Sequence, residues 1–138
     1  MTDIKPVVGD LDMGEEFVTA HERRAFTRLT MNAPVEVRQG ESVWNLELID
    51  LSLTGLAVTE PDNLEADYSN PFFFNLTLGH DSSLKFHANI VHMDPGHIGF
   101  DMGRLDEEQL RPLARLLSSR LDAAVIEEEL ALLASLNS

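Results

Sequence analysis

The sequence predicts a mainly β domain, a six-stranded antiparallel β-barrel followed by C-terminal α-helices. Three observations predict it. Apolar residues recur at every second position in short rows between residues 35 and 100, the period of half-buried strands. Gly, Pro, Asn and Asp punctuate those rows at turn spacing. Beyond residue 105 the apolar spacing lengthens to that of a helix. Closing such strands into a barrel removes the exposed edges that an open sheet would present.

Residues 1–20 are acidic, contain Pro6, Gly9 and Gly14, and hold no periodicity, so a flexible tail is expected there. The domain proper is assigned to 21–138, entered through a charged arm over 21–30. Val35 and Val37 open the first strand, which ends at the turn Gln39-Gly40-Glu41-Ser42. Trp44, Leu46 and Leu48 alternate with Asn45 and Glu47 in the second, and Leu56 and Val58 form a short third. A polar loop runs from about Pro61 to Asn70. Phe72, Phe74, Leu76 and Leu78 share one face of the fourth strand, with Phe73 set against a second apolar surface. Leu84, Phe86, Ala88 and Ile90 make the fifth row, and Asp94-Pro95-Gly96 turns the chain into Ile98 and Phe100.

Helical spacing begins at Leu110 and continues through Leu113, Ala114, Leu117 and Leu121, so the helices are placed over about 106–136. Pro112 is expected in the first turn, where its missing N–H does no harm. Asp122 is expected to cap a second helix carrying Val125, Ile126, Leu130, Leu132, Leu133 and Leu136, with Glu127, Glu128 and Glu129 solvated at mid-helix.

A chain of 138 residues is enough for one self-sufficient core. The absence of cysteine excludes disulfides, thiolate metal sites and cysteine nucleophiles. The acidic start does not read as a signal peptide, and no apolar run reaches the ~18 residues of a membrane span, so a soluble cytoplasmic protein is expected. The net charge of −14 disfavours nucleic acid and anionic lipid as partners. Against that background three of the eight arginines, Arg23, Arg24 and Arg28, crowd into six residues.

Two short elements carry the chemistry. In the arm, Arg24 and Arg28 offer planar forks that grip phosphate and stack on flat rings. They are neighbours on a helix but about 13 Å apart in a strand, so an irregular arm is needed to fold both onto one anion. The ordinary reading is pairing with the abundant carboxylates. The second element is Asp50-Leu51-Ser52-Leu53-Thr54-Gly55. Asp50 and Ser52 point to one side of an extended chain, and Gly55 permits either a positive φ or a close backbone approach. A carboxylate can accept from a guanine N–H edge, while the hydroxyl can reach phosphate or brace the loop. By itself this is also an ordinary side-chain-capped turn.

In order, on a barrel pattern, R-x-x-x-R at Arg24 and Arg28 followed by D-x-S-x-x-G at Asp50, Ser52 and Gly55 resembles the PilZ family. The resemblance runs from about His21 to Leu136 and is nearest to stand-alone, single-domain bacterial members. It implies a receptor for cyclic di-GMP, with Arg24 and Arg28 on phosphates and guanines, Asp50 and Ser52 completing the guanine pocket, and Gly55 holding the turn. Arg23 before the motif implies two intercalated ligand molecules. Ala25 stands where close relatives carry a further arginine. His92 falls where relatives place an aromatic, which implies stacking on a guanine. His92 and His97 can share one face across the turn, but two histidines without a third ligand fall short of a zinc site, so no metal is expected.

The resemblance further implies a monomeric adaptor, without cofactor, that changes conformation on binding and signals to a downstream protein. A PilZ-like interaction module that binds no nucleotide is the alternative, although such members generally lack the arginines found here. An OB-like nucleic-acid barrel would need a basic, aromatic groove, which one Trp, one Tyr and a strong negative charge do not provide. No nucleophile–base–acid signature points to an enzyme.

Overall fold

The structure is a computed structural model that describes residues 26–78 and 82–136. The expected tail, together with Arg23 and Arg24, lies outside the described residues. Seven strands are present: β1 (Leu29–Thr30), β2 (Pro34–Gln39), β3 (Ser42–Leu51), β4 (Gly55–Thr59), β5 (Phe72–Thr77), β6 (Ser83–Asp94) and β7 (His97–Asp101). Two helices follow, α1 (Glu107–Arg120) and α2 (Ala123–Leu136). All pairings are antiparallel. The sheet order β1-β3-β2-β5-β6-β7-β4 closes through β3–β4, so β2 to β7 form the expected six-stranded barrel. The additional strand, β1, pairs Leu29 with Leu51 and Thr30 with Asp50, laying the end of the arm beside the end of β3.

The alternating rows face inward. Val35, Val37, Leu48, Leu56, Val58, Phe72, Phe74, Leu76, Phe86, Ile98 and Phe100 are buried in one cluster. Phe74 is stacked on Phe86 at 5.1 Å and edge-on to Phe100 at 4.7 Å, contacts that add to the area these rings bury. Phe73 points outward and packs on the His87 ring across the β5–β6 ladder.

Turn chemistry follows the sequence. Gly40, with φ of 61°, opens the two-residue β2–β3 hairpin. Pro95-Gly96, with Gly96 at φ 92°, closes β6–β7 as a type II turn. Two register shifts interrupt the ladders, one between Leu48 and Asp50 in β3 and one between Ile90 and His92 in β6. Each bulge re-aims the residue that follows it.

Helix α1 starts earlier than its apolar row. Asp106 accepts from the Gln109 N–H while Gln109 reaches back to the Asp106 N–H, a full capping box. Pro112 is therefore the sixth helical residue, in the second turn rather than the first as expected, and it removes one backbone bond from the helix interior. Asp122 caps α2 as expected, its Oδ1 accepting from the Ala124 N–H at 3.0 Å. Leu113, Leu117 and Ile126 are fully buried in the same cluster as the barrel residues, so the helices complete the core.

Candidate functional site

The site is built where the arm, the β3–β4 turn and the β6–β7 hairpin meet. Phe26 and Leu29 are buried in the core and fix the arm on either side of Thr27 and Arg28. With those anchors set and β1 paired to β3, Arg28 lands on Asp50. Its Nε and Nη2 donate to Asp50 Oδ1 at 2.9 and 2.6 Å. The second arginine of one motif thus contacts the first residue of the other. The carboxylate pairing that was the ordinary reading of the arginines is realised, but between the two motifs. Both side chains are partly exposed, 42% for Arg28 and 25% for Asp50, so the pair is open to a ligand.

Ser52 is placed differently from what the resemblance implied. It is fully buried, and its hydroxyl accepts from the Thr54 and Gly55 N–H groups at 3.2 Å each. It braces the turn instead of lining the pocket, because the chain folds over it immediately after β3. Gly55 resolves to the second of its two options. Its φ is not positive; a Cβ there would sit 2.6 Å from the Phe100 carbonyl oxygen. The glycine is required by the close approach of β4 to β7, where Gly55 pairs with Asp101.

Beside this turn lies an open cleft of about 670 Å³. Arg28, Asp50, Gly55 and His92 all line it, as do Thr54, His97 and Arg104. Arg104 was not singled out in the sequence. It enters because Met102 N–H donates to Thr54 O at 2.9 Å, drawing the segment after β7 against the motif turn. An isolated arginine after a Gly gives no signal of that. Among the described residues the cleft therefore carries two guanidinium groups within a strongly acidic protein.

Glu129 overturns an expectation. It is 6% exposed instead of solvated, and its Oε2 accepts from both Thr27 N–H (2.9 Å) and Thr27 Oγ1 (2.6 Å). Among the described residues its Oε1 is buried without a partner. Three consecutive glutamates on a helix look solvated, yet α2 turns the third toward the arm. The residue it holds stands next to Arg28.

At the far end of the cleft, the shift after Ile90 sets His92 opposite Gly99 while Asp94 pairs with His97. His92 and His97 do share a face, with Nε2 atoms 3.4 Å apart. A third donor, not evident from the histidine spacing, is Asp94, whose Oδ2 is 3.6 Å from His92 Nε2 and 3.3 Å from His97 Nε2. His92 is 52% exposed and lines the cleft.

A closed antiparallel barrel with an arginine arm folded onto a D-x-S-x-x-G turn defines a class of β-barrel that presents a cleft at one rim. A family model described as PilZ domain matches residues 22–119. The chain belongs to the PilZ domain family. Among solved structures, the fold resembles the PilZ domain of YcgR from Escherichia coli with c-di-GMP, at 17% identity and a TM-score of 0.60 over 78% of this chain and 98% of that one. It also resembles the PilZ domain of CeSA from a cellulose-synthesizing bacterium, at 23% identity and a TM-score of 0.57 over 67% and 96%. The inhibitor of motility MotI/DgrA from Bacillus subtilis matches at 15% identity and a TM-score of 0.58 over 75% of this chain. This chain spans 51% of MotI/DgrA, about half its length. No helix among the described residues is long and apolar enough to cross a membrane.

Proposed function

We propose that this protein is a cyclic di-GMP receptor that relays ligand occupancy to a partner protein and catalyses no reaction. The observation that carries the reading is the Arg28–Asp50 contact on the wall of a cleft of about 670 Å³, a size suited to a small organic ligand. Arg28 and Arg104 supply bidentate, stacking cations for a ligand with two phosphates and two purines. Asp50 supplies an acceptor for a guanine N–H edge. With the net charge at −14, long-range attraction contributes little, and these short-range contacts carry the affinity. The family resemblance adds Arg24 to these ligand contacts, and Arg23 in the sequence favours two intercalated ligand molecules. His92 stacks on a guanine at the hairpin side.

The relay runs through the arm. Ligand that draws Arg28 toward its phosphates acts one residue away from Thr27, which Glu129 holds to α2. Binding therefore biases both the arm and the last helix, provided the ligand contacts the two arm positions differently. A cytoplasmic monomer that presents this altered surface to a downstream protein is the simplest form of such an adaptor.

Isothermal titration with cyclic di-GMP tests the reading, run in parallel on the protein and on Arg28→Ala. Saturable binding with about two ligands per chain, lost in the variant, is the expected result. Absence of heat and of competition at micromolar ligand would favour the interaction module that binds no nucleotide. Recovery of unaltered cyclic di-GMP after prolonged incubation is expected, and its conversion would refute the receptor-only reading.

A further inference from the structure

The His92–Asp94–His97 cluster is spaced for a metal ion, and we propose that it binds one divalent transition ion of the zinc class. The three donor atoms, His92 Nε2, His97 Nε2 and Asp94 Oδ2, are separated by 3.3, 3.4 and 3.6 Å. These separations are long for hydrogen bonds, since a charge-assisted N–H···O contact is about 2.7–2.9 Å. They match the edges of a metal tetrahedron, because ligands held at about 2.0–2.1 Å with tetrahedral angles stand about 3.3 Å from one another. The nearest point equidistant from the three atoms lies about 2.0 Å from each, and an ion at about 2.1 Å sits just off their plane, at zinc–ligand distance. Two imidazoles and one carboxylate form a donor set that suits zinc and leaves a fourth position for water.

The backbone builds this arrangement twice over. His92 and Asp94 are two residues apart on β6, and His97 is the direct cross-strand partner of Asp94, so all three project from one face of a tight hairpin. Opposite His92 stands Gly99, and a Cβ at that position would overlap three atoms of the His92 ring. The imidazole thus occupies space that any larger residue would fill, and the glycine sets where Nε2 is held. The ordinary alternative is a histidine pair hydrogen-bonded directly to one carboxylate, for which N···O contacts of about 2.7–3.2 Å are usual. Because His92 and His97 also line the cleft, a bound ion adds positive charge to its wall. The proposal stands independently of the nucleotide that the cleft receives.

Zinc binding is measured by competition against a chromophoric chelator, using the full chain and three variants. Cobalt absorption provides a second readout, because tetrahedral Co²⁺ absorbs much more strongly than the hexa-aqua ion. Expected are one Zn²⁺ per chain, an intense cobalt band, and affinity lower by about tenfold or more in His97→Ala and in Asp94→Asn. Removing a direct ligand should cost at least as much as the 10–100-fold typical of outer-shell losses. His87→Ala, on the outer face of the barrel against Phe73, should bind as the parent does. Equal affinity in all four proteins, or no stoichiometric uptake, would overturn the site and mark any zinc bound as diffuse attachment to an acidic surface. All three substituted side chains lie at the surface, so circular dichroism is expected to show the parent fold throughout.

Discussion

Thr27→Val tests whether the arm is held by Glu129. The substitution keeps the branched shape of the side chain and the backbone N–H, and replaces the hydroxyl that donates to Glu129 Oε2 at 2.6 Å with a methyl that cannot donate. That distance is in the short range of O–H···O⁻ bonds. A hydrogen bond to a charged group contributes about 1.5–3 kcal/mol, and Thr27 is only part-buried, so a loss of about 2 kcal/mol is expected. For a domain of this size that corresponds to a melting temperature lower by roughly 6–10 °C. The assay is urea unfolding of four proteins, the parent, Thr27→Val, Glu129→Ala and the double variant. In the Glu129→Ala background the same Thr27→Val change should cost close to nothing, giving a coupling of about 2 kcal/mol. Two results refute the reasoning. One is a Thr27→Val cost below about 0.5 kcal/mol, which is the level of an inconsequential surface change. The other is an equal cost with and without Glu129, which would place the effect elsewhere than in this bond.

Three further predictions follow from other parts of the fold. Gly55→Ala drives a Cβ to 2.6 Å from the Phe100 carbonyl, and the β4–β7 ladder must part to admit it; a loss of about 1–3 kcal/mol in urea unfolding is expected, and an unchanged midpoint would show that the close approach is not required. Asp106→Ala removes the α1 cap and should cost about 1 kcal/mol, read as a lower melting temperature and faster amide exchange at Gln109. The Asp67 carboxyl is held below the usual range by the Ser69 hydroxyl and then by the Ser69 N–H. Because its folded value lies below its unfolded value, its contribution to stability is complete above the ordinary aspartate range and is lost as pH falls through the folded value. Carbon-13 titration should give Asp67 a lower midpoint in the folded protein than in urea, and coincident midpoints would contradict the loop geometry.

Arg28 and Glu129 show how differently two charged residues can be read from sequence. Arg28 is part of a spaced motif, and the structure brings it to Asp50 of the second motif, as a shared site requires. Glu129 lies within three consecutive glutamates at mid-helix, where nothing local distinguishes the buried one from its neighbours. Its partner is 102 residues away, and only the docking of α2 brings the two together. The donor role of Asp94 is hidden in the sequence for a related reason. It reads as turn chemistry before Pro95-Gly96, and its role as a third donor depends on the hairpin register and on the bulge that sets His92 over Gly99.

The linear chain specifies the six barrel strands, the two-residue turns, the Asp122 cap and the two helices. Each of these depends on interactions within a few residues, so period, turn chemistry and capping express them directly. It also determined the family, because the spacing within each motif and the order of the two motifs are linear properties. Only the packing of distant elements selects the close approach for Gly55, brings Arg104 to the cleft and latches the arm through Glu129. Those outcomes depend on which strands and helices lie side by side after the barrel closes, and a burial or a contact made across the fold leaves no periodic trace in the chain.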